Sequence, residues 1–354
     1  MNLPTRQWRV AVAGCGAAAF GLHLPALAAN PAFDIVAVHD REAERARLAA
    51  RRFAVPRIAH TVEELLDGAD LLAVLTGVHD TLIDAALDVG VHVFTEKPVS
   101  LDLERTRALI SKARRAGRIL EVGAMRAHDP ALHALLATVP DPAGGWLIKA
   151  DGADEAARRA LLPPGLEPYT FAADPPQPTP HHLADDQLDA LRILLWQGYH
   201  LLTALVLAVP GARPGTCTLA AHGQGLTATI HGPGPAGALF TLAIVPAAPG
   251  DFREQIHLVG GDFAATLDIA RPYQRATGTR LSTHLGSDPH TVFGDPFTAM
   301  WNAVGQRLAG QHPADLPTSA DLALHVEELA AGLADATHAP VPHHQEKEEQ
   351  HARR

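Results

Sequence analysis

The 354 residues carry 29 lysines and arginines against 39 aspartates and glutamates, a formal net charge of −10, with 47% hydrophobic and 19% charged residues. That balance fits an ordered globular chain of two domains and excludes general disorder. The cations are scattered among acidic neighbours, so nucleic acid is not an expected partner. Cys15 and Cys217 stand far apart and match no metal-ligand spacing, so neither a disulfide framework nor a zinc site is expected. The longest apolar stretch, Leu191 to Val209, is interrupted by Arg192, Gln197 and His200 and reads as a buried helix rather than a membrane span. With no secretory pattern behind the short first apolar run, a cytoplasmic location is expected.

From residue 1 to about 125, strands and helices alternate at short spacing, as in a parallel α/β sheet. Trp8 to Ala13 is a strand, and Gly14-Cys15-Gly16-Ala17-Ala18-Ala19 follows it directly and opens a helix to Ala29. Glycine, any residue, glycine, two residues, then glycine or alanine is the dinucleotide fingerprint. Gly14 makes the tight turn, Gly16 lets the backbone approach a pyrophosphate, and Ala19 packs helix on strand. The free N–H groups of that helix end then face the phosphates. Asp34 to His39 is the second strand, and Asp40 ends it where an acid binds ribose hydroxyls, which favours NAD. Arg41 beside it leaves NADP open, and Asp40 also suits the cap of a helix from Arg41 to Phe53. Leu71–Leu75 and Val91–Phe94 read as buried strands, with a helix from Asp80 to Val89 between them. A helix from Leu101 to Ala116 and a strand from Arg118 to Val122 close the unit.

Glu96-Lys97-Pro98 sits at the carboxyl end of one of these strands, where doubly wound sheets bind their ligands. The chain has only four lysines, at 97, 112, 149 and 347. Unlike arginine, a buried lysine can lose its proton near neutral pH, so one retained here points to proton chemistry.

After Asp129-Pro130 the pattern changes. Pro140 to Gly145 and Pro163 to Pro180 break regular structure. One long helix is expected from about Ala184 to Val209. Alternating runs at 217–221, 226–230, 239–245, 254–259 and 263–269 predict an antiparallel sheet. Helices at 296–309 and 319–336 follow. The expected fold is therefore an α/β Rossmann domain (1–125), then an α+β domain with a mostly antiparallel sheet (126–340), and a mobile charged tail (341–354). His181-His182 with Asp185-Asp186 lacks a third element to fix a ligand geometry, so no metal is expected. Trp146, Trp196 and Trp301 are candidates for lining a bulky substrate.

The glycine turn, Thr76-Gly77-Val78-His79, Gly90 to Pro98, Val122-Gly123-Ala124-Met125-Arg126 with Asp129-Pro130-Ala131, and Gly198-Tyr199-His200 together resemble the Gfo/Idh/MocA family of oxidoreductases. The resemblance implies NAD(P)-dependent interconversion of a secondary alcohol and a ketone on a sugar, cyclitol or specialised-metabolite intermediate, with oligomers formed through the sheet face, a homodimer or homotetramer. It implies Lys97 and His200, with Tyr199 as a substitute, at the reacting oxygen. It places Gly14, Cys15, Gly16, Ala17, Ala18, Asp40, Arg41, Thr76, His79, Glu96 and Lys97 about the cofactor, and Arg126 and Trp196 near the small-molecule substrate. Members that hold NAD and oxidise a sugar transiently, to allow elimination or glycosidic cleavage, offer one alternative. A non-catalytic dinucleotide sensor is another. The chain departs from the family pattern in having Trp196 four residues before His200 and Thr203 three after it, where aspartates are usual, and Gly77 after the loop threonine.

Overall fold

A computed structural model describes residues 6–152, 154–168, 177–220, 224–233, 237–271, 278–284, 290–292, 294–311 and 318–338. The tail at 341–354 lies outside the described residues. The first sheet has six parallel strands: β1 Trp8–Ala13, β2 Phe33–His39, β3 Arg57–Ile58, β4 Leu71–Val74, β5 His92–Thr95 and β6 Leu120–Val122. Their order is β3-β2-β1-β4-β5-β6. β1 from Val10 onward and all of β4 are buried, as strands covered on both faces must be. The helix opened by the glycine turn contains a π-helical turn, Ala19–His23, before α1 Leu24–Ala28. α2 Ala43–Phe53, α3 Val62–Leu66, α4 Asp80–Asp88 and α5 Leu103–Arg115 complete the crossovers.

Between the two sheets Met125–His128 forms a 3₁₀ turn and α6 Pro130–Thr138 follows. Asp129-Pro130 thus opens a helix: the aspartate caps the Ala131 N–H at 3.0 Å, and proline occupies the first helical position. Among the described residues the second sheet has nine strands: β7 Gly144–Asp151, β8 Arg213–Leu219, β9 Leu226–His231, β10 Leu239–Val245, β11 Phe252–Gly260, β12 Phe263–Asp268, β13 Thr279–Thr283, β14 His290–Val292 and β15 Thr337–His338. Their order is β14-β13-β12-β11-β7-β10-β9-β8-β15, antiparallel except where β7 meets β10 and β8 meets β15. The proline- and glycine-rich stretch read as irregular therefore leads straight into the middle strand. Gly145 is required there, because a Cβ would lie 2.1 Å from the His257 carbonyl oxygen.

α7 Glu155–Ala160 is short. The single helix expected from Ala184 to Val209 is two, α8 Asp185–Trp196 and α9 Tyr199–Ala208, meeting at 74°. Gly198 makes the corner, where a Cβ would come within 2.7 Å of Ile244 and 2.9 Å of the Leu194 carbonyl. The inner faces of both helices are buried against the second sheet. No single helix among the described residues is long and apolar enough to cross a membrane.

α10 Pro296–Leu308 and α11 Ser319–Asp335 return to the first sheet. Phe297, Met300, Trp301, Val304 and Leu308 share a core with Val10, Val12, Leu71 and Phe94, while Ala320 and Ala323 join the opposite face. A buried ion pair fixes this return: Arg307 donates to both Glu121 oxygens at 2.9 and 2.7 Å, and Ser319 adds a 2.6 Å hydrogen bond.

Candidate active site

Gly14 has φ +95°, and a Cβ on it would lie 2.7 Å from the Leu75 carbonyl oxygen, so only glycine fits the turn. Around Gly16 nothing lies within 4 Å of the place a Cβ would take, which leaves open space over the start of the helix. That opening suits a pyrophosphate approaching free backbone N–H groups. Asp40 stands beside it, accepting from the Cys15 N–H at 2.7 Å and the Glu42 N–H at 2.9 Å. The following helix starts at Ala43, so Asp40 holds the glycine turn and the entry to α2 rather than capping a helix at Arg41. Each carboxylate oxygen keeps acceptor capacity for a ribose hydroxyl. The residues present therefore fit a dinucleotide. Arg41 is exposed nearby, and Cys15 is buried, with burial and then Asp40 holding its thiol protonated.

The other expected cofactor residues have internal partners. Thr76 donates to the Val78 carbonyl at 2.7 Å. His79 lies with Nε2 2.5 Å from the Thr76 carbonyl and Nδ1 2.8 Å from that of Pro98, joining the loop after β4 to the lysine segment. Burial pushes its pKa down against the pull of both carbonyls. Glu96 turns inward to His23 at 2.8 Å. Burial raises its pKa, but His23, Lys97 and His79 outweigh that and hold it below the ordinary carboxylate value. His23 comes from the π-turn, a signal absent from the fingerprint spacing.

Lys97 projects from the end of β5, joined to Pro98 by a cis peptide, and donates to the Trp196 carbonyl at 3.0 Å. That carbonyl belongs to the last residue of α8, where no intrahelical donor is available. Burial first, then the Lys149 ammonium, pull the Lys97 pKa down to about 8 against Glu96 and Glu254. The amine also lies 5.8 Å from the Tyr199 ring centroid.

His200 sits in the first turn of α9, its Nδ1 buried without a partner in the structure. Burial, followed by Lys97, Arg126 and Lys149, holds it well below the ordinary histidine pKa, and the positive end of α9 acts in the same direction. His200 is thus neutral at pH 7. Tyr199 is fully buried, and burial with the Glu327 and Glu96 carboxylates raises its pKa well above 10. Thr203 is also fully buried, and donates to the Tyr199 carbonyl at 2.8 Å.

The expected substrate residues fall differently. Arg126 is buried and pairs with Asp129 at 2.7 Å and Glu254 at 3.3 Å, which joins the 3₁₀ turn to β11 of the second sheet. Trp196 meets Lys97 through its carbonyl while its side chain is half exposed, because the helix break removes the one-turn relation to His200. Trp301 is core. Trp146 stacks on His257 (5.2 Å) on the outer face of the second sheet, away from the lysine. The inner face of the same strands carries Lys149 and Glu254, 3.6 Å apart. Strand alternation points both inward, but in sequence they carry no motif. Among the described residues no group of three or more histidine, cysteine or carboxylate residues could hold a metal.

Residues 8–124 match the family described as "Oxidoreductase family, NAD-binding Rossmann fold", Gfo/Idh/MocA. Myo-inositol dehydrogenase Hyg17 of Streptomyces leeuwenhoekii is 40% identical over 126 residues, 34% of this chain and 38% of that protein. The dTDP-3,4-didehydro-2,6-dideoxy-alpha-D-glucose 3-reductase of Streptomyces violaceoruber is 34% identical over 134 residues, 37% of this chain and 39% of the relative. These matches span well under half of the relatives' own lengths. The fold likeness extends further. The 3-ketoreductase KijD10 of Actinomadura kijaniata, solved with NADP and TDP-benzene, superposes with a TM-score of 0.72 over 94% of this chain and 99% of that one, at 19% identity.

Proposed function

We propose, from the match of residues 8–124 to the Gfo/Idh/MocA family, that this chain is an NAD(P)-dependent oxidoreductase interconverting a secondary alcohol and a ketone on a sugar, cyclitol or related polyol. The observation that carries this reading is Lys97, a lysine at the end of β5 whose amine reaches the Trp196 carbonyl at 3.0 Å and whose pKa is pulled down to about 8. A bound nicotinamide supplies the hydride acceptor or donor. Lys97 supplies charge and a proton to the oxygen: protonated, it stabilises the negative charge that develops on a carbonyl being reduced. Neutral His200 is a second polar group, able to accept a hydroxyl proton or hold it by hydrogen bond. The substrate oxygen would replace the Trp196 carbonyl as the partner of the lysine.

Asp40 favours NAD, with NADP left open by Arg41. Leu239, Val245 and Val259 are exposed on the outer sheet face with Trp146, a surface suited to a second copy of the chain. Light scattering of wild type and Trp146→Arg tests that dimer or tetramer, which a monomeric wild type would exclude. The activity itself is tested by NADH and NADPH titration and a polyol and sugar panel, on wild type and Lys97→Ala. The variant should keep cofactor affinity within about threefold and lose roughly 10²- to 10⁴-fold in kcat. Equal turnover by both proteins would refute the role of Lys97.

A further inference from the structure

The mechanism leaves unused one buried carboxylate that reaches the lysine segment from the far end of the chain. Glu327 of α11 is 2% exposed, and its oxygens accept from the Val99 N–H at 2.9 Å and the Thr106 hydroxyl at 2.6 Å. Val99 is the second residue after Lys97. Its neighbour Pro98 offers its carbonyl to His79 at 2.8 Å, and the Lys97 N–H meets the Glu96 carboxylate at 3.3 Å. Three consecutive residues are therefore held from three directions, by the end of β5, by the loop after β4 and by α11, the last two gripping the carbonyl and the N–H of the same Pro98–Val99 peptide. Only Glu327 comes from outside the sequence neighbourhood of the first sheet. A buried ionisable group with so few partners is costly to keep, and an apolar residue would pack there at less expense. What the carboxylate adds is a fixed acceptor for one main-chain N–H, two residues from the reacting amine.

We propose that Glu327 is a positioning residue for Lys97: through the Val99 N–H it fixes the backbone from which the amine projects, so that α11 sets the aim of the reacting group. This rests on the role of Lys97 given above. A displacement of about 1 Å can cost on the order of 10²-fold in rate, so loss of this contact should lower kcat roughly 10- to 100-fold. In Glu327→Gln the amide oxygen would still accept from Val99 and the amide nitrogen can donate to Thr106, so kcat should stay within about threefold of wild type. Glu327→Leu leaves the N–H without a partner. Thr106→Val removes only the distant bond and should cost stability but little rate.

The test has a second readout that needs no turnover. The pH dependence of acetylation at Lys97, followed by mass spectrometry of its peptide, gives the pKa of the amine directly. The groups that shift this amine are Glu96, Lys149 and Glu254, so a change in Glu327→Leu reports displacement rather than lost charge. We expect the Lys97 midpoint to rise from about 8 by roughly one unit in Glu327→Leu as the amine gains solvent. It should be unchanged in Glu327→Gln and Thr106→Val. Glu327→Asp, with its carboxylate withdrawn by one methylene, carries the same expectation if the leucine variant does not fold. An unshifted Lys97 midpoint in a folded Leu or Asp variant whose melting temperature has fallen would make Glu327 structural only and overturn the proposal. If wild type turns over no substrate, the proposed activity fails, while the acetylation profile still decides the positioning.

Discussion

Gly14 and Gly16 stand two residues apart in one turn, yet alanine should fail at each for a different reason. At Gly14 the backbone has φ +95°, which costs a residue with a Cβ about 1–2 kcal/mol. The added carbon would also lie 2.7 and 2.8 Å from the carbonyl oxygen and carbon of Leu75, main-chain atoms held by the sheet. Overpacking of that kind adds about 1–3 kcal/mol, so Gly14→Ala should destabilise the fold by about 2–5 kcal/mol. Gly16 has neither problem, with nothing inside 4 Å of the new carbon. Gly16→Ala should unfold within about 0.5 kcal/mol of wild type. Its methyl would instead occupy the space through which a pyrophosphate approaches, weakening dinucleotide binding at least tenfold, or about 1.4 kcal/mol. Urea unfolding by circular dichroism measures the first effect and NADH fluorescence titration the second. Wild-type stability in Gly14→Ala would refute the strain argument, and undiminished NADH affinity in Gly16→Ala would move the cofactor away from this turn.

The Lys97 amine at about 8 predicts that ketone reduction falls as pH rises through that value while alcohol oxidation gains; initial rates from pH 6 to 10 in both directions check the sign. His200 should add no inflection at the ordinary histidine pKa to the same profiles, since burial and the neighbouring cations hold its pKa well below that value. Arg307→Met leaves the Glu121 carboxylate buried with Ser319 as its remaining named partner and should cost about 3–5 kcal/mol. Glu121→Leu combined with it should recover most of that loss, and denaturant midpoints of both variants decide. Burial raises the Glu327 pKa to about 7, above the ordinary value near 4.5, so between those pH values the folded chain holds a proton that the unfolded chain has released. Stability should therefore fall as pH rises across that window, by about 3 kcal/mol for this group. Unfolding of Glu327→Gln measured from pH 5 to 8 should lack that part of the slope.

In the first domain, spacing was sufficient. Strand, glycine turn, helix and Glu-Lys-Pro at the end of β5 lie where local pattern placed them, since each crossover is short and its apolar periodicity reports its own burial. The errors have a common cause in tertiary contacts. Gly144-Gly145 reads as a breaker, but close strands on both sides of β7 leave room for nothing larger. Apolar continuity through residues 191–209 hides the corner at Gly198, and with it the i, i+4 argument about Trp196 and His200. Lys149 and Glu254 act on the lysine, and Glu327 on the Val99 N–H two residues along, from elements with no motif of their own, so nothing in their local sequence marks them.

The return of α10 to the first sheet also bears on how the chain is made. Trp301, fully buried against Phe33 and Phe94, belongs to the core of a sheet whose first strand begins at Trp8. At about 5–20 residues per second, roughly 15 to 60 s separate the synthesis of those two ends. For that interval the part of this face that α10 covers, around Phe33 and Phe94, stays open although α1 and α2 are already in place. A ribosome stalled before residue 296 would therefore hold an unfinished cofactor domain, dependent on chaperones however completely its own sequence had emerged.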